Sequence, residues 1–168
     1  EAPKAPHVDA EFVGEEGGPP QVPPPLIRIP TGTIISVSLR NTLADSIVWF
    51  HGLYTRPAEQ RDSIGVKPGE SITRTFAAGA PGTYIYAASA GITDEDNAER
   101  EQMAGAFILD SSGVTPNDRV FVMNVWGEKL KEEVDSTLPS FLSSPYTNAV
   151  TINGRSYPFT EPLEATTG

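Results

Sequence analysis

The chain holds two histidines, His7 and His51, and no cysteine. Imidazole and thiolate are the side chains that most readily hold transition metals or form nucleophile–base pairs near neutral pH. Without cysteine there is no structural disulfide, no thiolate zinc site and no iron–sulfur cluster. Oxygen ligands are more plentiful. Asp94, Glu95, Asp96, Glu99 and Glu101 crowd one stretch, interrupted by Asn97 and Arg100. Carboxylates at this density can hold calcium. The stretch lacks the glycine and the spacing of a calcium loop, so a solvated acidic loop is expected. Asp62 and Ser63 follow Arg61, but no histidine lies near them in sequence. Neither a Gly-x-Ser-x-Gly nucleophile motif nor a glycine-rich phosphate loop occurs.

Composition narrows the partners. The formal net charge is −10. A surface that acidic repels phosphate backbones and anionic headgroups, which argues against nucleic acid. No run of about 18 apolar residues exists, so no transmembrane segment is expected. The chain has 168 residues, which suits one domain with an appended segment. It begins with Glu1 in place of methionine, and removal of an export signal is one route to that.

The elements that must position any site are short strands. Sixteen prolines and 15 glycines favour strands joined by turns over long helices. Residues 1–25 carry Pro3, Pro6, Pro19, Pro20, Pro23, Pro24 and Pro25 and have no means of building a core. They read as a disordered leader or, if ordered, as an extended arm. From Leu26 the character changes. In residues 33–41, Ile35, Val37 and Leu39 alternate with Ser36, Ser38 and Arg40, the period of a half-buried strand. Further strands are expected over 26–29, 46–51, 71–76, 83–87, 103–110, 119–126 and 150–157. Turns are expected at Lys67-Pro68-Gly69-Glu70 and at 79–82. Residues 128–134 are the one helical candidate.

The order of motifs over residues 25–110 resembles the first domain of the multicopper oxidases, the laccase-like family. The matching pieces are Leu26-Ile27-Arg28-Ile29 followed by Gly32, the strand closing on Leu39-Arg40-Asn41, and Trp49-Phe50-His51-Gly52-Leu53. Then come Val66-Lys67-Pro68-Gly69-Glu70, Gly82-Thr83-Tyr84-Ile85-Tyr86 and Gln102-Met103-Ala104-Gly105-Ala106-Phe107-Ile108. Each is weak alone, but six in one order are specific. The tail Val150-Thr151-Ile152-Asn153-Gly154-Arg155-Ser156-Tyr157-Pro158 is similar to the opening strand of the family's next domain. It reads equally as an edge strand added to the one sandwich.

The resemblance implies a three-copper cluster, to which the first domain gives two His-x-His pairs. Residues i and i+2 of a strand point to one face, so each pair converges. Here the first pair falls on Trp49 and His51 and the second on Ala87 and Ser89. One ligand position of four is retained. A blue-copper site is excluded as well, because it needs a cysteine thiolate. His51 reads either as a lone relic ligand completed by another domain or as a histidine satisfied by a backbone hydrogen bond. Because the two faces converge in the family, the Trp49 ring is expected against Ala87 or Ser89, where it would conserve volume.

The expected fold is all-β, an antiparallel Greek-key β-sandwich of cupredoxin type with an extended Pro-rich N-terminal arm. The expected division is an arm at 1–25, a sandwich at 26–126, and a tail at 127–168. That tail would hold a short helix, a linker and a candidate first strand of a following domain. The expected function is that of a copper-free domain, with no catalytic, cofactor-binding or metal residue. It would be a structural or protein-binding subunit of an exported, periplasmic or extracellular assembly. A protein partner is expected, with a membrane-associated complex contacted through residues 1–25. Two alternatives stand beside this. One is the N-terminal domain of a multicopper oxidase-like enzyme whose metal sites lie beyond Gly168. The other is a small-ligand carrier with an open pocket near Trp49.

Overall fold

The computed structural model describes residues 14–15, 17–53, 62–90, 103–129, 146–162 and 164. Among the described residues nine strands form in chain order: β1 (Ile27–Pro30), β2 (Ile34–Arg40), β3 (Val48–His51), β4 (Ser63–Val66), β5 (Ser71–Ala77), β6 (Gly82–Ala90), β7 (Ala104–Asp110), β8 (Met123–Lys129) and β9 (Tyr146–Ile152). No helix occurs among the described residues, and so none long and apolar enough to cross a membrane. The all-β class follows from the sequence periodicity. β2 buries Ile35 and Leu39 and exposes Ser36, Ser38 and Arg40, as its alternation requires.

Two layers make the sandwich. One is a five-stranded sheet in the order β1-β7-β6-β3-β4, and the other is the β2–β5 pair. Their facing sides share one core. Ile35 and Leu39 from β2 meet Val48, Phe50, Ile64, Val66, Tyr86, Ala88, Phe107 and Leu109 from the larger sheet. Phe107 and Val66 are fully buried. β7 is apolar almost throughout, and both of its faces are buried. A strand covered on both sides loses the polar alternation of a half-exposed one.

The sheet is not wholly antiparallel. β1 runs parallel to β7, with Ile27 opposite Phe107 and Pro30 opposite Asp110. After β1 the chain crosses at Gly32 into the other layer, so β1 cannot pair with its sequence neighbour. The partner it finds on its own sheet runs the same way. β1 is an edge strand, which tolerates Pro30 at its end. Arg28 fastens it to β7 through two hydrogen bonds to the Asp110 carboxylate, at 2.8 and 2.7 Å, and also reaches Asp118 at 2.9 Å.

β8 and β9 form a separate two-stranded sheet. The expected strand at 119–126 is displaced to Met123–Lys129. The cause is Asn153, whose side chain accepts from the Val122 N–H at 2.9 Å and donates to the Val120 carbonyl at 3.2 Å. Residues 120–122 thus satisfy their backbone on a turn and not on a ladder. The expected helix at 128–134 is also corrected: Glu128 and Lys129 lie in β8, opposite Thr147 and Tyr146. Residues 130–134 lie outside the described residues. The expected strand at 150–157 begins earlier and stops at Ile152. Asn153 and Gly154, at φ 48° and 77°, turn the chain there, as Asn-Gly pairs do.

The leader was expected to be disordered or to reach a partner. Its described part lies against its own domain. The buried Tyr86 hydroxyl donates to the Pro25 carbonyl, and the Val22 carbonyl abuts Gly154. Residues 14–15 and 17–25 therefore give the docking-arm expectation no support, and residues 1–13 and 16 lie outside the described residues.

Candidate functional site

Residues of β3, β4 and β6 build the candidate site. β3 pairs with β6 so that Trp49 faces Ser89 and His51 faces Ala87. On its other side β3 pairs with β4, placing Gly65 beside Trp49 and Ser63 beside His51. All six positions share one face of the sheet by the strand period. That face is the opposite of the one carrying Val48 and Phe50 into the core. The four positions at which the family resemblance implies imidazoles are thus brought together, as two cross-strand pairs.

The strand ends directly after this point. Gly52 has φ 73°, and a Cβ there would lie 2.5 Å from the Ile85 carbonyl oxygen and 3.1 Å from the Tyr86 Cα. Only glycine fits a backbone that turns left-handed against β6. The turn fixes His51 as the last residue of its strand.

The site's chemistry is set by what is buried there. Ser89 is fully buried, and Ala87 and His51 are nearly so. Both ring nitrogens of His51 are buried and make no hydrogen bond among the described residues. The expectation of a histidine satisfied by the backbone is therefore corrected. An antiparallel ladder commits the backbone groups of β3, β4 and β6 to one another, and of the two side chains beside His51, Ala87 has no polar atom and the Ser63 hydroxyl makes no bond to the ring. Leaving a buried polar atom unpaired costs about 1–3 kcal/mol.

Trp49 is half-buried. It was expected against Ala87 or Ser89, but its six-membered ring leans the other way, over Gly65. A Cβ at Gly65 would lie 3.0–3.2 Å from three atoms of that ring. Gly65 was missed because β4 was not read as a strand. The alternation of Ile64 and Val66, both buried, was the available signal.

These residues do not fit the three-copper cluster. The two strand pairs offer one imidazole and one hydroxyl where four imidazoles are required, and an indole and a methyl cannot ligate. Among the described residues, no three His, Cys, Asp or Glu side chains gather in one place. Asp62 is buried beside the site, and its carbonyl accepts from the Gly52 N–H at 3.3 Å. His7, Arg61 and the acidic stretch 94–101 lie outside the described residues.

The register of β3 against β6 and the two-layer architecture define a cupredoxin-like sandwich. Residues 17–113 match the multicopper oxidase family, and the chain belongs to it. Solved structures agree on the fold. The blue copper oxidase from Nitrosomonas europaea is 22% identical with a TM-score of 0.61, over 88% of this chain and 49% of its own. The multicopper oxidase mgLAC is 22% identical with a TM-score of 0.63, over 96% of this chain and 53% of its own. A copper nitrite reductase from Nitrosomonas europaea is 22% identical with a TM-score of 0.54, over 86% of this chain and 54% of its own. The chain thus spans about half the length of these solved structures. No curated protein matches it.

Proposed function

We propose that this is a copper-free cupredoxin domain that serves as a structural or protein-binding subunit of an extracytoplasmic assembly. The observation that carries the reading is the β3–β6 register, which sets Trp49 and Ala87 where imidazoles would have to stand. A second observation supports the binding role. The β8–β9 ribbon has its polarity reversed: Asn124 and Thr151 are buried, while Met123, Val125, Val150 and Ile152 stand exposed. Met123 is opposite Ile152 and Val125 opposite Val150, so the four form one apolar surface. A contiguous apolar face of this kind marks an interaction site.

The enzyme reading keeps one supporting observation, the unpaired imidazole of His51. It requires the remaining ligands to come from outside these strands.

Copper loading tests the proposal. The chain, refolded with copper and desalted, is expected to retain well under about one copper per molecule and to leave phenols unoxidised. Replacing Trp49, Ala87 and Ser89 together by histidine is expected to create stoichiometric binding, because cross-strand neighbours lie only about 5 Å apart at Cβ. Tight copper in the unmodified chain would sink the proposal. The binding role is tested in cells of origin by native gels. The tagged chain should migrate in a larger extracytoplasmic assembly, and Val150→Glu should release it. Migration of the unmodified chain alone would count against that role.

A further inference from the structure

The sequence holds a single Asn-Gly pair, Asn153-Gly154. In such a pair the glycine nitrogen can attack the asparagine carboxamide, because the glycine carries no side chain to stand in the way. The structure sets this pair at the tip of a tight turn. Ile152 and Arg155 exchange both backbone hydrogen bonds, at 2.9 and 3.1 Å, so Asn153 and Gly154 are its two central residues. Their φ values of 48° and 77° are those of a type I′ turn. The Gly154 nitrogen makes no backbone hydrogen bond among the described residues.

Three bonds hold Asn153 in place. Its backbone N–H donates to the Val122 carbonyl at 2.8 Å. Its carboxamide oxygen accepts from the Val122 N–H at 2.9 Å, and its carboxamide nitrogen donates to the Val120 carbonyl at 3.2 Å. Asn153 is exposed, so these bonds, and not burial, fix the side chain. The arrangement is specific for an amide, since it needs a donor and an acceptor on one side chain. A carboxylate has acceptors only. With aspartate at this position a carboxylate oxygen would face the Val120 carbonyl, acceptor against acceptor.

We propose that Asn153 is a site of spontaneous covalent modification by deamidation. The closed turn holds the reaction off, and the reaction, once it has happened, keeps the turn from closing again. The Gly154 nitrogen bonds to the Asn153 Cγ and gives up its proton. The Cγ–Nδ2 bond breaks, and Nδ2 leaves with that proton as ammonia. Water then opens the resulting succinimide at one of its two carbonyls, which leaves aspartate or isoaspartate, and nothing is oxidised or reduced. Aspartate has lost the donor to Val120. Isoaspartate adds a carbon to the backbone of a two-residue turn. Either product undoes the bonds that place residues 120–122. Met123 and Ile152 are the first strand pair beyond the turn, so the apolar face of the ribbon loses its anchor. The inference rests on the turn alone and stands apart from the copper-free reading.

Peptide mass mapping of the full chain tests it, in mildly alkaline buffer with and without concentrated urea. Deamidation at Asn153 should run at least about tenfold faster in urea, where the hairpin is open. Gly154→Ala, compared in urea so that folding plays no part, should deamidate markedly more slowly, because a Cβ hinders the attacking nitrogen. Asn153→Asp, the reaction's own product, should speed hydrogen exchange of the β8–β9 amides in the folded chain. Equal rates at Asn153 in the folded and unfolded chain would overturn the proposal. So would a Gly154→Ala rate in urea equal to that of the unmodified chain, or unchanged β8–β9 exchange in Asn153→Asp. The first two measurements need no folded variant.

Discussion

At Trp49 and Gly65 one side chain occupies the space that another position gives up. The indole ring lies where a Gly65 Cβ would press on it at 3.0–3.2 Å. Gly65→Ala alone should therefore cost about 1 kcal/mol, as over-packing does. Trp49→Ala should cost about 2 kcal/mol, less than a fully buried tryptophan, because the ring is half-exposed. In the Trp49→Ala background the Gly65→Ala penalty should vanish. A double-mutant cycle by chemical denaturation measures this, and independent effects of the two changes would refute the contact. His51 makes the opposite point. An imidazole buried without a partner is a cost that an apolar side chain of similar size removes. His51→Leu is expected to leave stability unchanged or raise it by up to about 1 kcal/mol. A loss of more than that would show that the nitrogens are paired.

At the scale of elements, the parallel edge strand β1 depends on a charged clasp. Hydrogen bonds from Arg28 hold the Asp110 carboxyl below its usual range. A carboxyl depressed in the folded state binds its proton more weakly there than in the unfolded chain. Its contribution is therefore complete above the ordinary carboxyl range, about 4, and is lost as pH falls through the depressed folded value. Urea denaturation of the chain and of Arg28→Met should differ at pH 7, and the difference should shrink progressively below about pH 4. A gap that stays constant down to pH 2 would mean that the clasp adds no linkage.

Across the whole molecule, the leader and the tail hairpin hold each other. Gly154 sits at φ 77° with the Val22 carbonyl against it, so a Cβ there meets both backbone strain and a collision. Gly154→Ala should cost more than about 1 kcal/mol in global unfolding. It should also open the 146–162 region to limited proteolysis before the sandwich unfolds. Simultaneous cleavage of both regions would show that the hairpin does not depend on this contact. An isolated two-stranded ribbon is marginal in water. The leader contact on one side and the exposed apolar face on the other are consistent with a ribbon completed by a partner.

Sequence by itself determined the local and compositional facts. The period of two in β2, the turn at Lys67-Pro68-Gly69-Glu70 and the motif order gave the sandwich and its family. The absence of cysteine and the identities of Trp49, Ala87 and Ser89 settled which ligands the strands can offer, since side-chain chemistry does not depend on folding. Tertiary structure decided which residues meet. Whether the Trp49 ring leans toward Ser89 or Gly65 is a choice of rotamer between two neighbouring strands, and sequence spacing treats both sides alike. The unpaired state of His51 was hidden for the same reason, because hydrogen-bond partners come from strands distant in sequence. The parallel β1–β7 edge, the displacement of β8 by the Asn153 side chain, and the contact of the leader with Tyr86 all join segments far apart along the chain. Periodicity reports only which way each side chain faces on its own strand, and burial against a distant neighbour is settled when the chain closes.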